Sequence, residues 1–435
     1  MRVSARPFDV VILGATGFTG RQAVRAMRRQ GRGARWAIAG RNVAVMQALV
    51  GEGSRRGVAR PGVLLADTTD AASLAALAAQ ARVLVNLAGP YAMTGEAVIE
   101  ACIAHGAHYF DLSGETFWVR RMIERHHAAA AAAGVRIIPT CGYEALPFDL
   151  ATLWIADALR QRHGQPCSEV KILVRFTGKR ITRIADAASG GTVATLRSLL
   201  EHDRGDSMRN VACLLPAGRD DAAVVARRNA IAWTPRYDAD AAAVIAPTVP
   251  APFVNPPMVL RSWALLGDES LFTRDFRYRE GTHMGALVGA PRVLPAAVTL
   301  PLQFTAGAAL CAPLAGLGAA LVVPLTLQRQ ALRALIERFA PQPGEGPSEA
   351  ALDGMGYAFD IFATAADGQR LRGAMTAEGH PGYRSTPEML IAVALGLAQG
   401  ALGRTPHAGV VTPASGLGLD AADALRAAGV RFSLA

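Results

Sequence analysis

Short apolar runs recur through the first third of the chain, each closed by a small or polar residue. They read "DVVIL" (from Asp9), "RWAIAG", "GVLLAD", "RVLVNLAG", "HYFDLSG" and "VRIIPT". Apolar residues at consecutive positions predict strands covered on both faces, as in a parallel sheet. Helical patterns lie between them. One runs from about Gly17 to Gln30 and one lies near Ala71–Ala79. A third covers "TGEAVIEACIAHG", with Thr94 as N-cap and Gly106 past its end, and a fourth covers "TFWVRRMIERHHAAAAAAG", stopped by Gly134. Strands joined by helical crossovers predict an α/β fold with a doubly wound parallel sheet of six strands.

The second half is less regular. "SEVKILVRFTG" predicts a strand. "SGGTVATLRSLLEH" predicts a Gly-Gly-Thr turn opening a helix, as a backbone contact to substrate or cofactor or as a plain N-cap by Thr192. From Val293 to Gln328 no charged residue occurs, although Pro295, Pro301, Pro313 and Pro324 interrupt the stretch. It exceeds the ~20 residues of one membrane span and falls short of two spans plus a turn. A shallow hairpin in one leaflet, a hydrophobic lid over a lipid-binding cleft, a buried helical pair and a dimer interface all fit it. Arg292, Arg329, Arg333 and Arg338 flank it and suit anionic headgroups. The end of the chain reads as a strand "LRGAMTAEG", a helix over about Thr386–Gly400, a turn "VVTPASG" and a helix Asp420–Ala428.

The first strand runs into "GATGFTG", with Gly14, Gly17 and Gly20 at every third position. A glycine-rich turn between a strand and a helix binds a dinucleotide pyrophosphate on free backbone N–H groups. Gly14 allows the tight turn, and Gly17 and Gly20 allow close approach; Ala15, Thr16, Phe18 and Thr19 complete the loop. An NAD site places an acidic residue at the end of the second strand. Here none occurs between Asp9 and Glu52, and that strand ends in Arg41–Asn42, which favours the 2′-phosphate of NADP. Two further strand ends face the same crevice: Asp67 beside the adenine, and Asn86, Ala88, Gly89 and Tyr91 along the ribose and nicotinamide.

Composition then removes alternatives. The chain carries a net charge of +10, but its arginines are scattered and lysine occurs only at Lys171 and Lys179, so no nucleic-acid partner is expected. The lysines also exclude a Tyr-x-x-x-Lys pair, because Cys167 and Arg175 stand four residues before them. Five cysteines without a C-x-x-C pair fit a reducing compartment and no structural zinc. The N-terminus has no apolar signal core, so a cytoplasmic location is expected, with peripheral inner-membrane contact as an option. His105, His108 and the His126–His127 pair read as helix-end and surface groups; no metal site is expected.

"GATGFTG", "AGR", "NLAGPYAMTGEAVIEAC", "HYFDLSGE", "CGYEALPFDL", "SGGTVATL", "PGEGPSE", "EGHPGYRSTPEML" and "GVVTPASGLG" together resemble the saccharopine dehydrogenase-like oxidoreductases, in their trans-acting enoyl reductase branch. The resemblance covers nearly the whole chain. It implies an NADP-binding Rossmann domain (1–145), a second α/β domain with an open sheet holding the apolar insertion (146–385), and a C-terminal segment (386–435) returning to the first. It further implies an NADP-dependent oxidoreductase, expected here to act on an enoyl-type bond of an apolar, lipid-like substrate. A non-catalytic NADP-binding, lipid-associated scaffold and a saccharopine-type amino-acid dehydrogenase are the alternatives, and a homodimer is an expected assembly. Proton donors belong at the carboxyl ends of strands four to six, where Tyr91, Tyr143 and Glu144 stand. Cys141 has no evident partner base and reads as a small buried residue.

Overall fold

A computed structural model describes residues 6–51, 59–178, 189–202, 209–289, 296–322, 344–405 and 407–435. The apolar runs become β1 (Phe8–Leu13), β2 (Trp36–Gly40), β3 (Gly62–Leu65), β4 (Ala81–Asn86), β5 (His108–Asp111) and β6 (Arg136–Ile138). The crossovers include α1 (Phe18–Gln30), α2 (Val43–Gly51), α3 (Ala71–Gln80), α4 (Tyr91–His105) and α5 (Thr116–Ala132). All strands in this sheet pair in parallel. Val10, Val11, Ile12, Val83, Leu84 and Val85 are fully buried, because helices cover both faces.

Three details differ from the sequence reading. The sheet has seven strands, since β13 (Gly409–Val410) pairs with β6 as a further edge strand. Gly409 precedes and Val410 opens the expected "VVTPASG" turn, and two residues carry too short a pattern to announce a strand. Helix α4 begins at Tyr91, after Pro90, so Thr94 is not its N-cap. Its hydroxyl turns back to the carbonyls of Ala88 and Pro90 at 2.8 and 3.0 Å. Thr192 likewise lies inside the first turn of α7 (Gly190–His202), and Ser189 Oγ accepts the Thr192 N–H at 3.4 Å.

From Ile138 the chain passes through α6 (Leu146–His163) into a second, mixed sheet. It is built from β7 (Cys167–Gly178), β8 (Arg236–Asp238), β9 (Ala243–Ala246), β10 (Phe272–His283), β11 (Met355–Ala365), β12 (Arg370–Glu378) and β14 (Arg431–Leu434). Their order is β14-β12-β11-β7-β10-β9-β8; β7 and β10 are parallel and the other neighbours antiparallel. The helix Thr386–Ala398 lies against α1, where Gln30 Nε2 donates to the Glu388 carbonyl at 3.1 Å. Lys171 is spent inside the second sheet, with Nζ 2.7 Å from Asp238 and 2.5 Å from Asp240. Lys179 lies outside the described residues.

Ala296–Val322 is a single helix that continues through Pro301 and Pro313; 293–295 and 323–328 lie outside the described residues. Thr299, Gln303 and Cys311 are buried along one stripe, four or eight residues apart, and Gln303 Oε1 accepts the Val244 N–H at 2.9 Å. The outer face leaves Val298 57%, Leu302 54% and Phe304 39% exposed. Among the described residues no helix is long and apolar enough to cross a membrane.

Candidate active site

Strand order reverses between β1 and β4, and two loops meet outside their carboxyl ends. Gly14 has φ +82°, and a Cβ there would stand 2.8 Å from the Ala88 nitrogen. A Cβ on Gly20 would lie 2.2 Å from the Gly14 carbonyl oxygen. Gly17 differs: the nearest atom to its virtual Cβ is 3.5 Å away. Gly14 and Gly20 therefore lock the turn to its neighbours, while Gly17 keeps the N-terminus of α1 clear. That N-terminus has no side-chain cap, so its first N–H groups are left for an anion. The N-terminus of α4 is not free in this way. Glu115 Oε2 accepts the N–H groups of Tyr91 and Ala92 at 2.9 and 3.3 Å. Of the two helices that start at the crevice, only α1 presents an open anion site. Ala15 is buried under the turn, and the Thr16 carbonyl is held by Arg21 at 2.6 Å. Phe18 packs edge-on against Tyr383, with ring centres 5.6 Å apart.

At the end of β2, Arg41 is exposed. Asn42 is exposed too, and its Oδ1 accepts the Val45 N–H at 3.1 Å and starts α2. Asp67 accepts the Thr69 N–H and hydroxyl at 2.9 and 2.8 Å. These bonds, with Arg41 nearby, hold its carboxyl below the usual range.

The loops of β4 and β5 share a buried polar network that corrects two further expectations. Asn86 is wholly buried, with Nδ2 on Tyr109 Oη at 3.2 Å and Oδ1 on the Ala88 N–H at 3.0 Å. It shapes the loop and does not line the crevice. The Tyr91 hydroxyl donates to the Asn86 carbonyl at 3.2 Å and accepts from the Leu112 N–H at 3.3 Å. Burial, with Asp111 beside it, pushes this phenol well above its ordinary range. Tyr91 is a positioning residue with no proton to spare. Ala88 is half-buried and Gly89 exposed.

The third loop, from Thr140 to Ala145, is held in an unusual conformation. Thr140 has φ +61° and Ala145 φ +64°, values that residues other than glycine rarely adopt. Each is pinned: the Thr140 N–H donates to Asp111 Oδ1 at 2.9 Å, and the Ala145 N–H to Asn255 Oδ1 at 2.7 Å. Strain restrained from both sides is a common mark of a functional loop. Inside it, Cys141 is wholly buried and its thiol is pushed well above the ordinary range by burial, which leaves no nucleophile. Tyr143 is 3% exposed, with its ring edge-on to Tyr357 at 5.0 Å and Phe148 at 5.6 Å. Its hydroxyl has no hydrogen-bond partner among the described residues. Burial raises the Tyr143 phenol and the half-buried Glu144 carboxyl above their ordinary ranges.

The comparisons with known proteins fit this geometry. Residues 10–138 match the family described as the saccharopine dehydrogenase NADP-binding domain. A Mycobacterium tuberculosis relative is 32% identical over 99% of this chain and 98% of its own. The trans-acting enoyl reductases of Mycobacterium bovis and Mycobacterium leprae are 31% and 30% identical, over 96% and 99% of this chain and 95% and 98% of theirs. The chain belongs to the trans-acting enoyl reductase family. A solved apo saccharopine dehydrogenase (L-Glu forming) from Saccharomyces cerevisiae is similar over 98% of this chain, with 13% identity and a TM-score of 0.48.

As a member of that family the chain is an NADP-dependent oxidoreductase, and the first sheet carries the cofactor. The open α1 N-terminus above Gly17 and the exposed Arg41 suit a dinucleotide with a 2′-phosphate. Two groups beside the strained loop escaped the sequence reading. Glu280 on β10 accepts from Tyr278 Oη at 2.7 Å and from Asn255 Nδ2 at 3.2 Å, and burial raises its carboxyl to about 7. The Tyr383 hydroxyl bonds the Thr192 hydroxyl and accepts the Ser189 N–H at 2.7 Å, which fastens α7 over the glycine turn. Both come from segments far along the chain with no local motif, so only the tertiary fold reveals them.

Proposed function

We propose that this oxidoreductase reduces an activated carbon–carbon double bond of an enoyl-type, apolar acyl substrate, and that Tyr143 delivers the proton. The bound cofactor supplies a hydride. The observation that carries the reading is the Tyr143 hydroxyl: buried, unpartnered, and at the carboxyl end of β6 beside Glu144. A phenol raised by burial stays protonated at neutral pH, as an acid must before it gives up its proton. The aromatic rings of Phe148, Tyr357 and Phe359 around it suit an apolar substrate better than a zwitterionic one. The cofactor contacts proposed are the turn Gly14–Gly20, Arg41, Asp67, Ala88 and Gly89.

The test is NADPH oxidation with trans-2-enoyl thioesters of increasing chain length, set against NADP+ reduction with saccharopine, a secondary amine that can only give up a hydride. Turnover should rise with chain length and be absent with saccharopine; the reverse pattern would favour an amino-acid dehydrogenase. Tyr143→Phe should lower kcat by about a hundredfold or more and leave NADPH affinity unchanged. An unaltered kcat would remove Tyr143 from the chemistry. The exposed apolar face of Ala296–Val322, within a stretch free of charge from 293 to 328, further supports peripheral contact with a lipid surface.

A further inference from the structure

A cavity in the second sheet has no part in the reading above. Strand β9 pairs with β10 only at Ala246–Thr282 and Ile245–His283. Upstream of these pairs the β10 edge is met by a side chain, with Asn229 Oδ1 accepting the Tyr278 N–H at 2.7 Å. The gap between them holds a cavity of about 260 Å³, lined by Arg228, Arg236, Arg279, Tyr278 and Glu280 among prolines. That volume suits a small polar molecule and not a long acyl chain.

The charges in this cavity do not cancel. Arg228 and Arg236 have no ion pair among the described residues. Arg279 has one acid, Glu169, at a loose 3.5 Å, and Arg277 shares that carboxylate at the same distance. Burial and the neighbouring Arg279 pull the Arg236 guanidinium below its ordinary value, and the Asp238 charge offsets only part of this. Glu280 does not answer the three guanidiniums, because its oxygens accept from Tyr278 and Asn255 and its carboxyl is largely neutral below pH 7. Three planar guanidiniums at one cavity, only Arg279 of them in an ion pair among the described residues, match a carboxylate or a phosphate.

We infer that this cavity is a binding site for a small molecule bearing a carboxylate or phosphate group, held by Arg228, Arg236 and Arg279. The site is separate from the glycine turn and does not depend on the enoyl reductase reading. Binding is measured without turnover, so failure of either idea leaves the other standing.

The experiment is calorimetric titration of the full chain, at about pH 6 and with saturating NADP so that the glycine turn is filled. Inorganic phosphate and malonate are the two probes, and the stronger of them identifies the oxyanion. Saturable binding of at least one is expected, weakened about tenfold or more by Arg236→Gln and by Arg279→Gln. Arg274→Gln, whose guanidinium pairs with Glu269 on the surface at 2.7 Å, should leave the affinity unchanged. Arg279 is exposed, so its variant remains a folded test even if Arg236→Gln destabilises the chain. Absence of saturable binding by both probes overturns the inference. So does binding that Arg279→Gln leaves intact.

Discussion

Gly17 and Gly20 stand three positions apart and meet different surroundings. A methyl group at Gly20 would collide with the Gly14 carbonyl at 2.2 Å, whereas at Gly17 it meets nothing closer than 3.5 Å. Gly20→Ala should therefore lower stability by about 1–3 kcal/mol, seen as a reduced thermal midpoint without ligand. Gly17→Ala should keep the midpoint and weaken NADPH about tenfold, because its methyl occupies the approach to the α1 N–H groups. A Gly17→Ala variant with normal nucleotide affinity would count against the turn as the pyrophosphate site. Arg41→Ala should weaken NADPH at least about tenfold more than NADH; equal losses for the two cofactors would remove its role at the 2′-phosphate. At this scale the sequence told which loops matter but not which way each side chain points. Arg41 and the glycines are legible because strand, turn and helix fix their backbone. Asn86 and Tyr91 sit in the right loops, yet their polar ends are engaged by backbone groups and by the Tyr109 hydroxyl, which only the fold brings within reach.

At the scale of elements, helices and strands with long patterns were legible, and those set by tertiary contacts were not. The six apolar runs and the crossovers of the first sheet follow from their periodicity. The proline-interrupted stretch misled, because two prolines suggest breaks and the helix Ala296–Val322 continues through both. Its buried stripe docks on β9, which is the tertiary support that periodicity cannot report. The outer face yields a prediction at the same scale. Val298→Glu combined with Leu302→Glu adds charge where no packing is lost, since both side chains are more than half exposed. The thermal midpoint should hold while co-sedimentation with anionic vesicles falls severalfold. Vesicle binding equal to that of the parent chain would mean that this face does not meet lipid.

On the scale of the whole molecule, several distant segments converge on Asp149, and its chemistry predicts how stability varies with pH. Asp149 lies in α6, wholly enclosed; its Oδ2 accepts from Ser262 Oγ at 2.7 Å and from the Ala414 N–H at 2.8 Å. Sequence reading could not have assembled this junction, because its partners lie 113 and 265 positions away. Oδ1 has no partner, and burial raises the carboxyl to about 7. In the unfolded chain an aspartate titrates near 4. Between those values the folded state binds the extra proton, so stability is fully present below about pH 4 and declines as pH rises through 7. Asp111, also raised to about 7, acts with the same sign. His108, lowered to about 4 mainly by burial, acts with the opposite sign up to its unfolded value and offsets part of the slope. Asp149→Asn keeps the neutral form at every pH. The parent chain should therefore lose thermal stability between about pH 5 and 8, while Asp149→Asn declines less and is the more stable protein at the alkaline end. The gap between the two there is on the order of a few kcal/mol. Thermal midpoints of both proteins across that range decide the matter, and parallel curves would show that Asp149 is already ionised in the fold.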